Sequence, residues 1–383
     1  MSSRSWVLAG AILAFVACKE PAPPPAPPVK VAPKAIVPPA PAVKMDAASS
    51  VSGQSDPSCV GPIDLSVPKK VTIAGKAAEL NGYKLSFQLP EKKDQPTVFG
   101  VIGALNEDSG ENLVNLKKYV EFFKAEKADA VIVNGDSGES LESIVRSLTL
   151  VAETGLPVFA VIGNRESGGH FNDALAALTK TFPNVVNLGR VRHVEFGSVD
   201  LISLPGYHDK RYLNPSGCQY FKQDVEALKK IAKEAKNPIV LVSHGPPHGN
   251  GAMALDAATE AGNVGDSNLN ALIAEASIPF GVFSNIKEAG GRATDLEGLN
   301  VLKQDTLADR LFLNPGPADS VAWAMNDGTQ SMGMAATLTV QGKQAKYRIF
   351  RAKALTAEEK TQAAKLAPER SKDEQVKDEA PKK

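Results

Sequence analysis

Ala130-Val131-Ile132-Val133-Asn134-Gly135-Asp136 sets an apolar, β-branched run against a short polar cluster, and the arrangement recurs three times further along the chain. Gly163-Asn164-Arg165-Glu166 follows residues 158–162, Ser243-His244-Gly245-Pro246-Pro247 follows residues 239–242, and Ser284-Asn285-Ile286-Lys287 follows residues 280–283. Runs of this kind read as buried strands, with helical patterns between them. In open α/β sheets, ligands collect outside the carboxyl ends of the strands. Asp, Asn and His gathered there offer oxygen and imidazole donors suited to a divalent metal.

Working outward, residues 71–88 alternate around Asn81-Gly82, which predicts a small hairpin before the first core strand at 98–103. Asp108-Ser109-Gly110-Glu111 has the form of a capping box, opening a helix with Leu113, Leu116, Val120 and Phe123 on its buried stripe. Helices are expected at about 139–153, stopped at Gly155, at 171–181 and at 218–236. Two strands are expected within 192–204, others leading to His244, Asn285 and Asn314, and a closing hairpin over 335–350 turning at Gln341-Gly342-Lys343.

The order and spacing of the clusters resemble the calcineurin-like metallophosphoesterases. That family carries Asp-x-His, Gly-Asp, Gly-Asn-His-Asp/Glu, a lone Ser-His and a closing Gly-His-x-His. Gly135-Asp136, Gly163-Asn164-x-Glu166 and Ser243-His244 match in part, and the likeness spans roughly residues 96–351. The resemblance implies an α/β (α+β) fold, a four-layer α/β/β/α sandwich of two mixed sheets, with two metal ions at the strand ends.

The departures are as specific as the matches. Ala104 and Asn106 stand at the Asp-x-His positions, Arg165 replaces the motif histidine, and Asn285 and Lys287 replace the closing pair. Carried over residue by residue, the first ion keeps only Asp136. The second keeps Asp136, Asn164 and His244, with Asn285 in place of an imidazole. Such a set could hold one ion (Mn, Fe, Zn or Mg) or none, and it does not support a two-metal clamp. Arg165 and His244 are the candidate catalytic residues. Arg165 and Lys287 could instead form an anion site for a phosphate-bearing small molecule, a fork and a point charge where metal charge and an imidazole would stand. Lys287 could also pair with Asp136. Each residue has a plainer reading: Asp136 as a cap or turn residue, Asn164 as a turn, His244 as a satisfied core histidine. His248 reads as a loop residue. His170, His193 and His208 lie outside the motifs, although Pro205-Gly206-Tyr207-His208-Asp209 ends a strand and could line the pocket.

The flanks indicate export. Arg4 precedes an apolar stretch from Trp6 to Val16, shorter than the roughly 20 residues of a membrane span. Phe15-Val16-Ala17-Cys18 resembles a bacterial lipobox, making residues 1–17 a lipoprotein signal and Cys18 the lipidated residue; the alternative is an ordinary secretory signal. Residues 18–57 form a Pro/Ala-rich spacer, its Pro21 to Lys44 part extended by on the order of 70 Å as polyproline II. Residues 58–352 form the folded domain, of roughly 290 residues, enough for one large core. In the tail, residues 353–383, positions 356–366 suit a solvated helix and the remainder reads as disordered. Cys59 and Cys218 most simply form a disulfide in an exported protein, with Cys218 as a thiol nucleophile the alternative. Lys and Arg together number 43 and Asp and Glu together 43, so no electrostatic footprint points to nucleic acid.

Together these features describe a cell-envelope lipoprotein whose phosphoesterase-like domain serves as a binding or scaffold module, in the outer membrane or on the periplasmic face of the inner one. The competing readings are a single-metal phosphoester hydrolase and a protein whose spacer is the working part. Cys18→Ser is expected to release the protein from membranes or block its processing, read by fractionation; an unchanged membrane fraction would refute lipidation.

Overall fold

A computed structural model describes residues 59–60, 68–90 and 95–368. The export signal, Cys18, the spacer and tail residues 369–383 lie outside the described residues. No helix among the described residues is long and apolar enough to cross a membrane.

Two sheets lie face to face. The six-stranded sheet runs, in spatial order, β19 (Gln344–Arg351), β18 (Met334–Gln341), β4 (Thr97–Ile102), β5 (Ala130–Asn134), β6 (Val158–Val161) and β7 (Val185–Asn187). The nine-stranded sheet starts with β1 (Lys69–Ile73), β2 (Lys76–Asn81) and β3 (Lys84–Phe87). It continues through β8 (His193–Phe196), β9 (Val199–Leu204), β10 (Ile239–Ser243), β13 (Phe280–Val282), β15 (Leu311–Asn314) and β14 (Arg292–Thr294). Two short ladders complete the strands, β11 (Ala257–Ala258) with β12 (Gly262–Asn263) and β16 (Trp323–Ala324) with β17 (Gln330–Ser331).

Alternation explains why the strand runs are apolar throughout. Phe99, Val101, Ala130, Ile132, Phe159 and Val161 face Val199, Leu201, Val240, Val242, Phe280 and Leu311 across the space between the sheets. The opposite face of the first sheet, including Ile102, Val131, Val133 and Ala160, packs beneath α1 (Gly110–Ala125), α2 (Leu141–Ala152) and α3 (Gly168–Thr181). The outer face of the second, including Ile202, Leu204, Leu241 and Phe312, packs beneath α4 (Lys222–Ala232) and α5 (Ser267–Glu275). Strands covered on both faces need apolar residues at every position. The result is the expected four-layer α/β/β/α sandwich of mixed sheets. Phe87, Phe99 and Phe159 surround Phe196 with ring centroids 5.0, 5.9 and 5.7 Å away, so the N-terminal strands belong to the central core.

The parallel order β4-β5-β6-β7 follows from the α1, α2 and α3 crossovers and brings the strand ends to one edge. Ser109, Ser140 and Ser167 cap these helices, each accepting a backbone N–H three residues on. Several boundaries differ from the sequence expectation. The early hairpin is a three-stranded meander, and α3 starts at its Ser167 cap rather than near Phe171. The helix expected from Cys218 begins only at Lys222, because Tyr207 N donates to Cys218 O and Tyr220 N to Tyr207 O, holding that segment extended.

The helix expected to be solvated, α6 (Ala357–Leu366), is instead docked on α1. Ala363 is buried, and its carbonyl oxygen would lie 1.9 Å from a Cβ placed on Gly110. Lys118 pairs with Glu359 at 2.8 Å, and Arg146 Nη2 donates to Leu366 O at 2.6 Å. Cys59 and Cys218 are linked by a disulfide spanning 159 positions of chain. Cross-linking so distant a pair removes much unfolded-chain freedom. Cys218→Ala is therefore expected to cost about 2–5 kcal/mol in chemical denaturation. Recovery of both cysteines as free thiols without reduction would refute the link.

Candidate metal and anion crevice

The loops after β4, β5, β6, β10 and β13 converge at the strand ends. Ala104 N donates to Gly135 O at 3.1 Å, Asn106 N to Asp136 O at 2.7 Å, and Ser284 N to His244 O at 3.0 Å. Ala104, Asn106 and Asp136 take left-handed φ values of 52°, 66° and 57°, which for residues with a Cβ are sustained only where surrounding bonds over-determine them. Gly135 has no such choice: a Cβ there would lie 2.3 Å from His244 Nδ1.

Asp136, Asn164 and His244 come together. His244 is fully buried, and its Nδ1 donates to Asn134 O at 2.8 Å, which fixes the tautomer. Its Nε2 lies 2.9 Å from Asn164 Oδ1 and 3.4 Å from Asp136 Oδ2. Asn164 Nδ2 donates to Tyr212 O, turning Oδ1 toward the imidazole. Both ring nitrogens thus face oxygens, the arrangement of an imidazolium or of an imidazole sharing one cation with those oxygens. Burial opposes charge on both partners. The attraction between Asp136 and His244, with a bond from Arg165 N to Asp136 Oδ1, outweighs it, holding the carboxyl below its ordinary range and the imidazole above.

Glu166 lies behind this group, fully buried, accepting from Ser137 N at 2.5 Å and Gly163 N at 2.9 Å. Burial, then the charge of Asp136, push its carboxyl up to about 7. It joins the two loops and belongs to the scaffold of the crevice. Asn285 is held by its backbone N, which donates to His244 O at 3.0 Å, while the Tyr207 hydroxyl donates to Val264 O at 2.8 Å. Three of the four groups expected at a second ion position, Asp136, Asn164 and His244, therefore converge, and the fourth, Asn285, is tied to them through its backbone.

The first position has a different content. Lys287 does not pair with Asp136; its Nζ lies 2.9 Å from Asp319 Oδ2 and 4.3 Å from the centre of the Trp323 ring. Asp319 is 2% exposed and also accepts from Asn106 Nδ2 and from Trp323 Nε1, the latter at 3.1 Å. Burial pushes its carboxyl up, against the bonds from Lys287, Trp323 and Asn106. Here an ammonium and two N–H donors already occupy the Asp319 carboxylate, and the Lys287 charge would repel a second cation, so this set as arranged does not fit a metal ion. Arg165 is likewise not a free cation, because its guanidinium pairs with the half-exposed Glu139.

Asp319 escaped the sequence reading although it obeys the same rule, lying five residues beyond the strand that ends at Asn314. Tyr207 was anticipated as a pocket residue, and its buried ring sits against Gly245, where a Cβ would come within 2.5 Å of it. His248 stands beside Asp256 at 3.4 Å, and the exposed His170 bonds Glu139 O. His193, Glu195 and Asp200 form a second ligand-like triad, its atoms within 4.8 Å of one another, on the outer side of β8 and β9. Lys84 and Ser86 hold Glu195, and Lys236 N, Asn237 N and Asn237 Nδ2 hold Asp200, whereas both ring nitrogens of the buried His193 lack a hydrogen-bond partner among the described residues, Nε2 lying 3.6 Å from Asp200 Oδ2.

A family model for the calcineurin-like phosphoesterases matches residues 107–273. These residues form a calcineurin-like phosphoesterase domain, as the motif order implied, and that family implies divalent metal ions. Solved structures similar to the chain include TT1561 of Thermus thermophilus, 13% identical with a TM-score of 0.42, over 64% of this chain and 99% of that one. A putative 5'-nucleotidase from Staphylococcus aureus is 13% identical with a TM-score of 0.45, over 71% and 58%. The purple acid phosphatase PPD1 from yellow lupin is 12% identical with a TM-score of 0.45, over 71% and 56%. No curated protein matches the sequence.

Removing the carboxylate of Asp319 would leave Lys287 largely buried and unpaired. Asp319→Ala is expected to destabilise the fold by about 3–5 kcal/mol, measured by denaturant unfolding. A change within about 0.5 kcal/mol, as for an ordinary surface position, would show that the pair carries no weight.

Proposed function

We propose that this protein is an envelope lipoprotein whose phosphoesterase domain has given up dinuclear hydrolysis and serves as a binding or scaffold module. The observation that carries this reading is the Lys287–Asp319 pair with Asn106 and Trp323. Asn106 and Lys287 stand where the family motifs carry ligands of the first ion, and in this reading the Lys287 ammonium with its Asp319 counter-ion takes that ion's place. An in-line displacement clamped between two metals requires both positions, and only one retains a ligand set. Export, a lipid on Cys18 and residence in the cell envelope rest on the sequence signals alone, as does a phosphate-bearing ligand.

The second reading, a single-ion phosphoester hydrolase, is favoured by the convergence of Asp136 Oδ2, Asn164 Oδ1 and His244 Nε2. Those atoms would hold the ion, and His244 would be oriented by Asn134 O, a common arrangement behind metal-bound imidazoles. Such an ion would supply a Lewis acid and an activated water. Amide oxygens and one carboxylate give it little negative charge, so retention should be weak.

Metal analysis of the purified protein, paired with turnover of an aryl phosphate in added manganese, tests both readings. The expected result is well below two equivalents of metal and little turnover. Two tightly held ions with turnover abolished by Asp136→Asn would restore the ordinary hydrolase and overturn the proposal.

A further inference from the structure

Beyond the crevice, a cavity of about 450 Å³ opens beside the edge strand β14. Met253, Val301, Leu302 and Tyr347 give it apolar walls, and Arg292, Lys303 and Arg351 give it positive charge. Its volume falls within the usual range for small-ligand sites.

Arg292 is the residue that makes this more than a surface hollow. It is 4% exposed, yet among the described residues no carboxylate bonds it. Among the described residues its Nη1 meets only the Met253 Sδ at 3.2 Å, a weak acceptor, and the buried Nη2 meets no acceptor. The acid on the cavity wall, Asp327, is already committed: its Oδ2 lies 3.2 Å from Arg351 Nη2, and its Oδ1 accepts from Thr329 N and Oγ1. Lys303 makes no ion pair among the described residues and is exposed. Three cations against one engaged carboxylate leave the cavity with net positive charge. A buried guanidinium is costly unless paired, and its planar fork matches the two oxygens of a carboxylate or phosphate. Burial, with Arg351 adding like charge, already pushes Arg292 below the usual guanidinium range, a penalty that a bound anion would relieve. The flexible Met253 thioether occupies the edge of the guanidinium that such an anion would take.

We propose that this cavity is a binding site for a small organic anion, its carboxylate or phosphate group on Arg292 and its apolar part against Val301, Leu302 and Met253. None of the residues lining the cavity is among Asp136, Asn164, His244, Lys287 and Asp319, although the β16–β17 hairpin touches both sites, Trp323 on Lys287 and Asp327 on Arg351. The site is therefore independent of whether the crevice holds a metal, an anion or neither.

The test is calorimetric titration of the full chain with benzoate and with phenyl phosphate, which separate carboxylate from phosphate recognition around the same ring. At least one should bind, more weakly as salt rises. Arg292→Gln should weaken that binding about tenfold or more, the loss of a charge-assisted hydrogen bond. Lys303→Glu, at an exposed position tolerant of change, should weaken it several-fold and keeps the test available if Arg292→Gln does not fold. Absence of binding by both ligands overturns the proposal, as does binding indifferent to Arg292→Gln and Lys303→Glu.

Discussion

Two apolar sheets packed face to face could slide or rotate with little change in buried area, and one buried polar tie removes that freedom. Asn134, at the end of β5, donates through Nδ2 to Ser243 O and Ser284 Oγ, both from the facing sheet, at 3.0 Å each. Its carbonyl accepts from His244 Nδ1, again across the sandwich. Leaving a buried donor or acceptor unmet costs about 1–3 kcal/mol. A shift of one sheet against the other would break several such bonds at once, whereas apolar contacts would re-form. The position of His244, and with it the whole crevice, depends on this tie.

The strained backbone of the crevice follows from the same constraint. Once β5 and β10 are locked in register, the turn at Asp136 must pass beneath the imidazole, which requires Gly135 and a left-handed Asp136. Glu166 then bridges Ser137 N and Gly163 N, so the loops after β5 and β6 move together or not at all. Asp136 keeps its charge because His244 and the Arg165 N–H face it; Glu166, next to that charge, is pushed the other way. Two neighbouring buried carboxyls thus acquire opposite tendencies, Asp136 from its ion pair and Glu166 from burial first and the charge of Asp136 second.

The strands were legible in sequence because they are covered on both sides and therefore read as continuous β-branched runs bounded by polar clusters; the two-sheet sandwich was implied by the family resemblance that the order of those clusters carries. Asp136, Asn164 and His244 were legible as a group for the same reason, since each ends such a run. The partners of Lys287 and Arg165 were not. A lysine's reach is several ångströms, and its choice between Asp136 and Asp319 is settled by the loop after β15, where Ala318 N donates to Gly103 O and so delivers Asp319 to Asn106. Charge patterns alone do not carry that information. Residues 357–366 look solvated by composition, yet α6 docks because Gly110 lets the helices approach more closely than any side chain would allow. The late start of α4 reflects the pairing of the Cys218 segment with Tyr207, a tertiary demand that overrides local helical pattern.

The orientation of Asn164 closes the argument about what the crevice is built to do. Its amide oxygen faces His244 only because its NH2 donates to Tyr212 O, and Asn214 N in turn bonds Asn164 O at 3.2 Å. Both partners sit on the segment between Tyr207 and Cys218, whose far end is fixed to Cys59 by the disulfide. Gly217 packs so tightly on Asn164 O that a Cβ would lie 2.3 Å away. A wall fastened by a covalent link, by backbone bonds and by close packing cannot open widely without losing all three. The crevice is accordingly a preorganised cradle whose loops hold their shape, and its chemistry is decided by which side chains occupy fixed positions rather than by closure around a ligand.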